Sequence, residues 1–247
     1  MHLRPATTPG RNAVPRRERC RVVARESIGP YSLLRLDRGG LDAGLPGQFF
    51  MLEAPGRTLP RPFSTCQARK GELAFLIDPI GPATRALCAL EVSAAITLFG
   101  PLGNGFRTDV AKPLLVGGGI GVAALPYTWE AMGGPPAILG FRSADHAEAG
   151  ALVPGAEICI EPTLVTDLLP DEPRDLLACG PEPMLRELRR LSPDAQLAWE
   201  APMACGYGAC YGCAVEIDGE FKRLCVEGPI LNGRSPVTPI LAREVGQ

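Results

Sequence analysis

The sequence predicts a mixed β and α/β protein: a small antiparallel β-barrel, then a parallel-sheet α/β domain, then a small C-terminal module organised by cysteines. Three observations predict it. Short apolar segments of strand character recur between residues 20 and 99, separated by turn signals such as Arg38-Gly39-Gly40 and Pro46-Gly47. From Lys112 onward, apolar runs alternate with helical stretches, and the first run feeds directly into Gly117-Gly118-Gly119-Ile120-Gly121. Finally, four of the nine cysteines gather between Cys205 and Cys225.

Taken in order, residues 1–17 read as a mobile basic arm, with Arg4, Arg11, Arg16 and Arg17 among Pro and Thr, and are left out of the fold. Residues 18–108 form the expected barrel, with strands at 20–24, 31–36, 48–52, 72–77 and 94–99. The turn Gly103-Asn104-Gly105 links it to the α/β domain at 109–200. There a strand at 114–116 runs through the glycine turn into an Ala-rich helix, whose start Pro126 perturbs. Further strands are expected at 137–140, 158–161 and 176–178, and an amphipathic helix at 183–191. Residues 201–247 lose this alternation and hold the cysteine cluster, Gly-rich turns and several prolines.

Composition narrows the functional classes. A chain of 247 residues that is 46% hydrophobic can bury a sizeable core, which excludes disorder throughout. The 25 Lys+Arg against 27 Asp+Glu leave a net charge of -2, so no basic excess attracts nucleic acid. With 29 Gly, 26 Pro and 6% aromatic residues, turns and short strands are favoured over a helical bundle. There is no apolar run of about 18 residues and no apolar signal core near the start, so a cytoplasmic protein without a membrane partner is expected. In a reducing compartment, clustered cysteines point to metal ligation. Cys20, Cys66, Cys88, Cys159 and Cys179 lie scattered among apolar neighbours and read as core thiols.

The strongest motif is Cys205-x4-Cys210-x2-Cys213-x11-Cys225, with Gly206, Gly208 and Gly212 interleaved. Four thiolates wrapped by a glycine-rich loop suit a [2Fe-2S] cluster, since small residues let backbone amides aim at sulfur. A structural zinc site competes, but zinc ribbons favour two Cys-x2-Cys knuckles and this segment has one. The eleven-residue run to the fourth cysteine departs from the plant-type ferredoxin spacing. Next, Gly119-x-Gly121-x-x-Ala124 directly follows a strand, where glycines let amides approach a pyrophosphate; a tight turn for packing alone uses the same residues. In Arg61-Pro62-Phe63-Ser64 the Arg can pair with a diphosphate and Ser64 can bond a ring or ribitol group. Alone, Arg61 reads as a surface charge. Leu76-Ile77-Asp78 and the loop Gly81-Pro82-Ala83-Thr84 add a second place for a dinucleotide.

With these residues in place, the stretch 19–234 resembles the ferredoxin-reductase superfamily, and within it the family of electron-transfer subunits of two-subunit, NAD-linked dihydroorotate dehydrogenases. The markers are Arg-Pro-x-Ser, the Gly-Gly-Gly-Ile-Gly turn, Cys179-Gly180-Pro181-Glu182-Pro183-Met184 and the cysteine loop, in that order. The segment Gly100-Pro101-Leu102-Gly103-Asn104-Gly105-Phe106 resembles the family's barrel-to-nucleotide-domain linker. The resemblance implies that Arg61, Pro62, Phe63 and Ser64 hold FAD and that Leu76, Ile77 and Asp78 lie along the flavin. It further implies that Ala83 and Thr84 stand where the family has Gly-Thr. Gly117, Gly119 and Gly121 would orient NAD, Cys179 and Gly180 would lie near the nicotinamide, and Cys205, Cys210, Cys213 and Cys225 would ligate the cluster.

The implied route runs from an FMN-containing dihydroorotate dehydrogenase catalytic subunit, through [2Fe-2S] and FAD, to NAD+, in pyrimidine biosynthesis and in a dimer of two-subunit pairs. No catalytic acid or base is assigned; the only histidines are His2 and His146. Arg142 could meet a 2′-phosphate, which leaves NAD against NADP open. Tyr207, Tyr211 and Ile230 are either a docking patch or packing around the cluster. Two alternatives stand beside this reading: an NAD(P)H reductase subunit of a hydrogenase, sulfide dehydrogenase or oxygenase system, and a non-enzymatic zinc-stabilised binding module.

Overall fold

The computed structural model describes residues 13–217 and 219–234 and the backbone of 237–239. The barrel is built from β1 (Arg16–Ile28), β2 (Tyr31–Asp37), β3 (Phe49–Leu52), β4 (Arg61–Ser64), β5 (Gln67–Arg69), β6 (Glu72–Ile77), a short helix α1 (Pro82–Cys88) and β7 (Ala95–Leu102). The strands pair antiparallel in the order β4-β3-β7-β1-β2-β6-β5. The two edge strands β4 and β5 are consecutive in sequence. Thr65 N–H reaches the Gln48 carbonyl at 3.2 Å and Cys66 N–H the Ala74 carbonyl at 2.9 Å, so segment 61–69 joins both edges and curls the sheet closed.

All five expected strands fall on observed ones; β4 and β5 were not expected. At four and three residues they carry too little periodicity to read, and Pro62 argues against a strand. An edge strand tolerates it. The arm is shorter than expected: β1 already pairs Arg16 with Gly100 and Arg17 with Phe99, and the Arg17 guanidinium pairs with Glu53. Residues 1–12, His2 among them, lie outside the described residues. An irregularity between Val22 and Ala24 lets the thirteen-residue β1 serve β7 with its first half and β2 with its second.

The second sheet holds β8 (Pro113–Gly118), β9 (Ala137–Phe141), β10 (Glu157–Ile160), β11 (Asp175–Cys179) and β12 (Gln196–Ala198), with helices α2 (Leu125–Ala131), α3 (Ala144–Ala147) and α4 (Glu182–Leu191). Its order is β10-β9-β8-β11-β12, all parallel. The Ala-rich stretch after the glycine turn, expected as the start of the helix, is not yet α-helical. Residues Gly119–Ala124 form a 3-10 turn, and the α-helix begins at Leu125, which puts Pro126 in the first turn where its missing N–H costs nothing.

In the C-terminal module, β13 (Ala214–Ile217) pairs with β14 (Glu220–Arg223), α5 (Leu224–Glu227) follows, and β16 (Val237–Pro239) pairs on the other side of β13. Between α5 and β16, strand β15 (Ile230–Asn232) leaves the module and pairs antiparallel with β12 as the last strand of the parallel sheet. One hydrophobic core therefore runs from Phe49, Met51 and Leu102 of the barrel through Val116 and Leu197 to Cys213, Val215 and Cys225. Among the described residues no helix is long and apolar enough to cross a membrane.

Candidate functional site

The strand order reverses direction between β8 and β11, where the loops after neighbouring strands part and leave a crevice at their C-terminal ends. A cleft of about 470 Å³ opens there, lined by Gly118, Gly119 and Ile120 after β8, Arg142 after β9, Glu161 and Thr163 after β10, and Pro181 and Met184 after β11. Tyr31 and Asp78 close it from the barrel side.

The glycines divide into two roles. A methyl on Gly121 would sit 2.4 Å from the Cys179 carbonyl oxygen and 2.6 Å from Gly180 Cα; one on Gly180 would sit 3.0 Å from Gly118 N; one on Gly117 would meet Leu139 and Leu125 at 2.7 and 2.8 Å. Gly121 and Gly180 let the turn press onto the end of β11, and Gly117 makes room for Leu139 of β9 and Leu125 of α2. Gly119 differs: its φ is +53°, and a methyl there meets nothing within 4 Å, so it alone supplies left-handed backbone facing the open cleft. Cys179 is half-buried, yet desolvation of its sulfur and the nearby Glu200 carboxylate push the thiol up to about 12, which keeps it protonated.

Sequence reasoning did not reach the wall formed by Tyr31 and His146. The Tyr31 ring is buried and meets the imidazole edge-on, with centroids 5.5 Å apart. Arg142 Nε–H donates to His146 Nε2 at 2.8 Å, and His146 Nδ1 lies 2.8 Å from Ser143 Oγ. His146 is thereby a fixed brace holding Arg142 at the cleft. Tyr31 reads as core in its strand, and nothing local marks the pairing.

On the barrel, Arg61 is exposed on edge strand β4, and its guanidinium lies 3.3 and 3.2 Å from the Leu59 and Pro60 carbonyls. Ser64, half-buried, faces Phe49 across the ladder; Pro62 faces Met51, and Phe63 packs on the barrel core. Leu76 and Ile77 are buried, which leaves their backbone and the part-exposed Asp78 to meet anything outside. Gly81-Pro82-Ala83-Thr84 opens α1 rather than a loop. The Thr84 hydroxyl accepts from Gly81 N–H at 2.9 Å and lies 3.0 Å from the Gly81 carbonyl, while the Ala83 methyl turns into the barrel core.

The four clustered cysteines form two pairs in the loop and helix that rest on the barrel. Cys213 and Cys225 are buried and in hydrogen-bond contact, Cys225 N–H lying 3.5 Å from Cys213 Sγ, and Cys205 pairs likewise with Cys210. Burial would raise Cys205, but the N–H groups of Cys210, Tyr207 and Ala209 outweigh it and bring the thiol down to about 7. Contact with Cys225 and surrounding amides lowers Cys213 to about 6. Among the described residues no three Cys, His, Asp or Glu side chains gather as a single metal ion requires. The sulfurs stand as two pairs, Cys205 with Cys210 and Cys213 with Cys225, the grouping that two irons need.

The family model for the iron-sulfur cluster binding domain of dihydroorotate dehydrogenase B matches residues 200–235. The electron transfer subunit of dihydroorotate dehydrogenase B (NAD(+)) from Caldanaerobacter subterraneus subsp. tengcongensis is 33% identical over 207 residues, covering 75% of this chain and 84% of the relative. This chain belongs to that family. The subunit of the same description from Geobacillus thermodenitrificans is 31% identical, covering 87% of this chain and 96% of its own. Among solved structures, NADH-dependent reduced ferredoxin-NADP oxidoreductase shares the fold at TM-score 0.80 and 22% identity, over 91% of each chain. The ferredoxin reductase of carbazole 1,9a-dioxygenase does so at 0.61 and 21%, over 72% of this chain and 65% of that one. Membership sets aside the zinc-stabilised binding module.

The joint between modules is the other feature the sequence marked without explaining. Asn104 N–H donates to the Gly228 carbonyl at 2.6 Å, its Nδ2 to the carbonyls of Ile230 and Glu227 at 2.8 and 3.2 Å, and its Oδ1 accepts from Ile230 N–H at 2.9 Å. One linker side chain thus fastens the segment just after Cys225. Gly206 packs against Met51 and Leu102, and Phe99 meets Tyr207 edge-on at 6.0 Å, so the cysteine loop rests directly on the barrel. Tyr207 and Tyr211 are exposed, but Ile230, expected beside them, is buried in β15 and belongs to no surface patch.

Proposed function

We propose that the chain relays electrons between an FMN-containing dihydroorotate dehydrogenase catalytic subunit and NAD+, with a [2Fe-2S] cluster and FAD as its carriers. The observation that carries this reading is the paired cysteine loop seated directly on the barrel. Cys205, Cys210, Cys213 and Cys225 would hold the irons, with amides of residues 207–210 turned toward sulfur. Arg61 and Ser64 would bind FAD on the open barrel edge, and Ala83, whose methyl faces inward, takes no space outside where its glycine counterpart would serve. Gly119 would face the dinucleotide, with Gly117, Gly121, Cys179 and Gly180 shaping the cleft floor. FAD supplies the exchange between hydride and single electrons that a nicotinamide and an iron-sulfur centre require.

The chain's own work is to bind, orient and exclude water. The thiol of Cys179 stays protonated, and His146 is committed to Arg142 and Ser143, so neither serves as acid or base. The pairs would assemble as a dimer. The test is anaerobic co-purification with the catalytic subunit: FAD, two irons and two labile sulfides per chain, and NAD+-dependent dihydroorotate oxidation by the complex are expected. Recovery without flavin or labile sulfide, or of a complex with a hydrogenase subunit, would overturn the reading.

A further inference from the structure

Arg223 stands two residues before Cys225, and its bonds fall on both turns of the cysteine loop. Its Nη1 donates to the Gly208 carbonyl at 2.9 Å, and its guanidinium carbon lies 5.0 Å from the centroid of the Tyr211 ring. Its own N–H donates to Glu227 Oε2 at 2.7 Å, and Nε lies 3.6 Å from the same carboxylate. Both turns are conformationally demanding. Gly208 has φ +89°, and Tyr211, which is not glycine, has φ +58°. A side chain in that region is strained and persists only when its surroundings impose it. The Tyr211 turn leaves Gly212 N–H 3.4 Å from Cys210 Sγ, and a Gly208 methyl would sit 2.7 Å from Val226 Cγ2 and 3.2 Å from Arg223 Nη1. The space at Gly208 is therefore filled by Val226 and Arg223 together.

We propose that Arg223 is a positioning residue for the iron-sulfur centre: its fork holds the 205–213 loop in cluster-binding shape, and its charge, offset in part by Glu227, favours the reduced centre. The inference rests on the cluster reading above. One-electron reduction adds one negative charge among four thiolates, so a nearby cation stabilises the product and a nearby anion opposes it. Lys can keep the charge but not the planar fork that spans Gly208 and Tyr211.

The experiment uses the complex with its catalytic subunit, prepared anaerobically, with Arg223→Lys, Arg223→Met and Glu227→Gln. Iron and labile sulfide, the electron paramagnetic resonance spectrum of the dithionite-reduced cluster and its midpoint potential are measured. Arg223→Met is expected to shift the midpoint negative and Glu227→Gln to shift it positive. Arg223→Lys should stay near the parent potential but lose iron several-fold faster in air and show altered g-values. A merely structural role would not give opposite signs at two neighbouring side chains. Should Arg223→Met fail to load, the Lys and Gln variants decide. Parent-like potential, g-values and air stability in the variants that load would overturn the inference, whereas a parent complex without cluster would overturn the functional reading instead.

Discussion

The glycines of the switch-point turn make a graded prediction. In Gly121→Ala the new methyl meets backbone at 2.4, 2.5 and 2.6 Å, from Cys179 O, Cys179 C and Gly180 Cα, none of which can rotate away. The turn must part from β11 by about 1 Å, an overpacking cost of about 1–3 kcal/mol. For a domain of this size 1 kcal/mol moves the thermal midpoint by about 2–4 °C, so a drop of roughly 4–8 °C is expected for a mid-range cost. Gly119→Ala meets no atom and bears only the left-handed backbone penalty, about 1 kcal/mol. Its methyl instead projects toward the cleft. Thermal melts of the FAD-loaded, cluster-loaded protein, paired with NADH saturation kinetics, separate the two. Gly121→Ala should melt lowest, while Gly119→Ala should melt only about 2–4 °C below the parent with a raised KM for NADH. A Gly121→Ala midpoint at or above that of Gly119→Ala would refute the assignment of packing to one glycine and contact to the other.

Three further outcomes follow from the site. Cys225→Ser should abolish iron and sulfide while FAD stays bound at the parent stoichiometry, since the flavin-binding candidates lie on the barrel; colorimetric iron and sulfide assays with flavin fluorescence check it, and a full complement of iron would show the fourth ligand is misassigned. Asn104→Ala removes three side-chain hydrogen bonds at the module joint, costing about 2 kcal/mol, and should slow NADH reduction of the cluster in stopped-flow traces without changing iron or FAD content. Burial raises the Cys66 and Cys20 thiols to about 12, above an unfolded value near 9. Below pH 9 neither group affects stability; between pH 9 and 12 the unfolded chain ionises first, so each costs about 1.4 kcal/mol of stability per pH unit. Urea unfolding at pH 8, 9 and 10 should therefore show a fall confined to the alkaline side, and Cys66→Ala should lessen that fall.

Much of the architecture was legible because it rests on local rules. Short apolar segments bounded by turn residues mark β1, β2, β3, β6 and β7, and a strand running into glycines marks β8. Four cysteines at short spacing mark the metal module. The edge strands β4 and β5 were invisible because three or four residues hold no period, and the 3-10 turn at Gly119–Ala124 was hidden because only contact with Cys179 and Gly180 forces it. The contacts of Arg223 with Gly208 and Tyr211 and of His146 with Tyr31 lie across turns that sequence spacing does not encode.

By itself, then, the sequence determined the three-part order, the clustered cysteines and the glycine turn, because each depends on residues close together along the chain. Only tertiary structure decided which glycines pack and which face the cleft, that Asn104 bolts the cluster module to the linker, and that β15 crosses over to finish the parallel sheet. Those outcomes depend on surfaces brought together from distant parts of the chain, 126 residues apart for Asn104 and Ile230. Their energy exists only once both partners have left water.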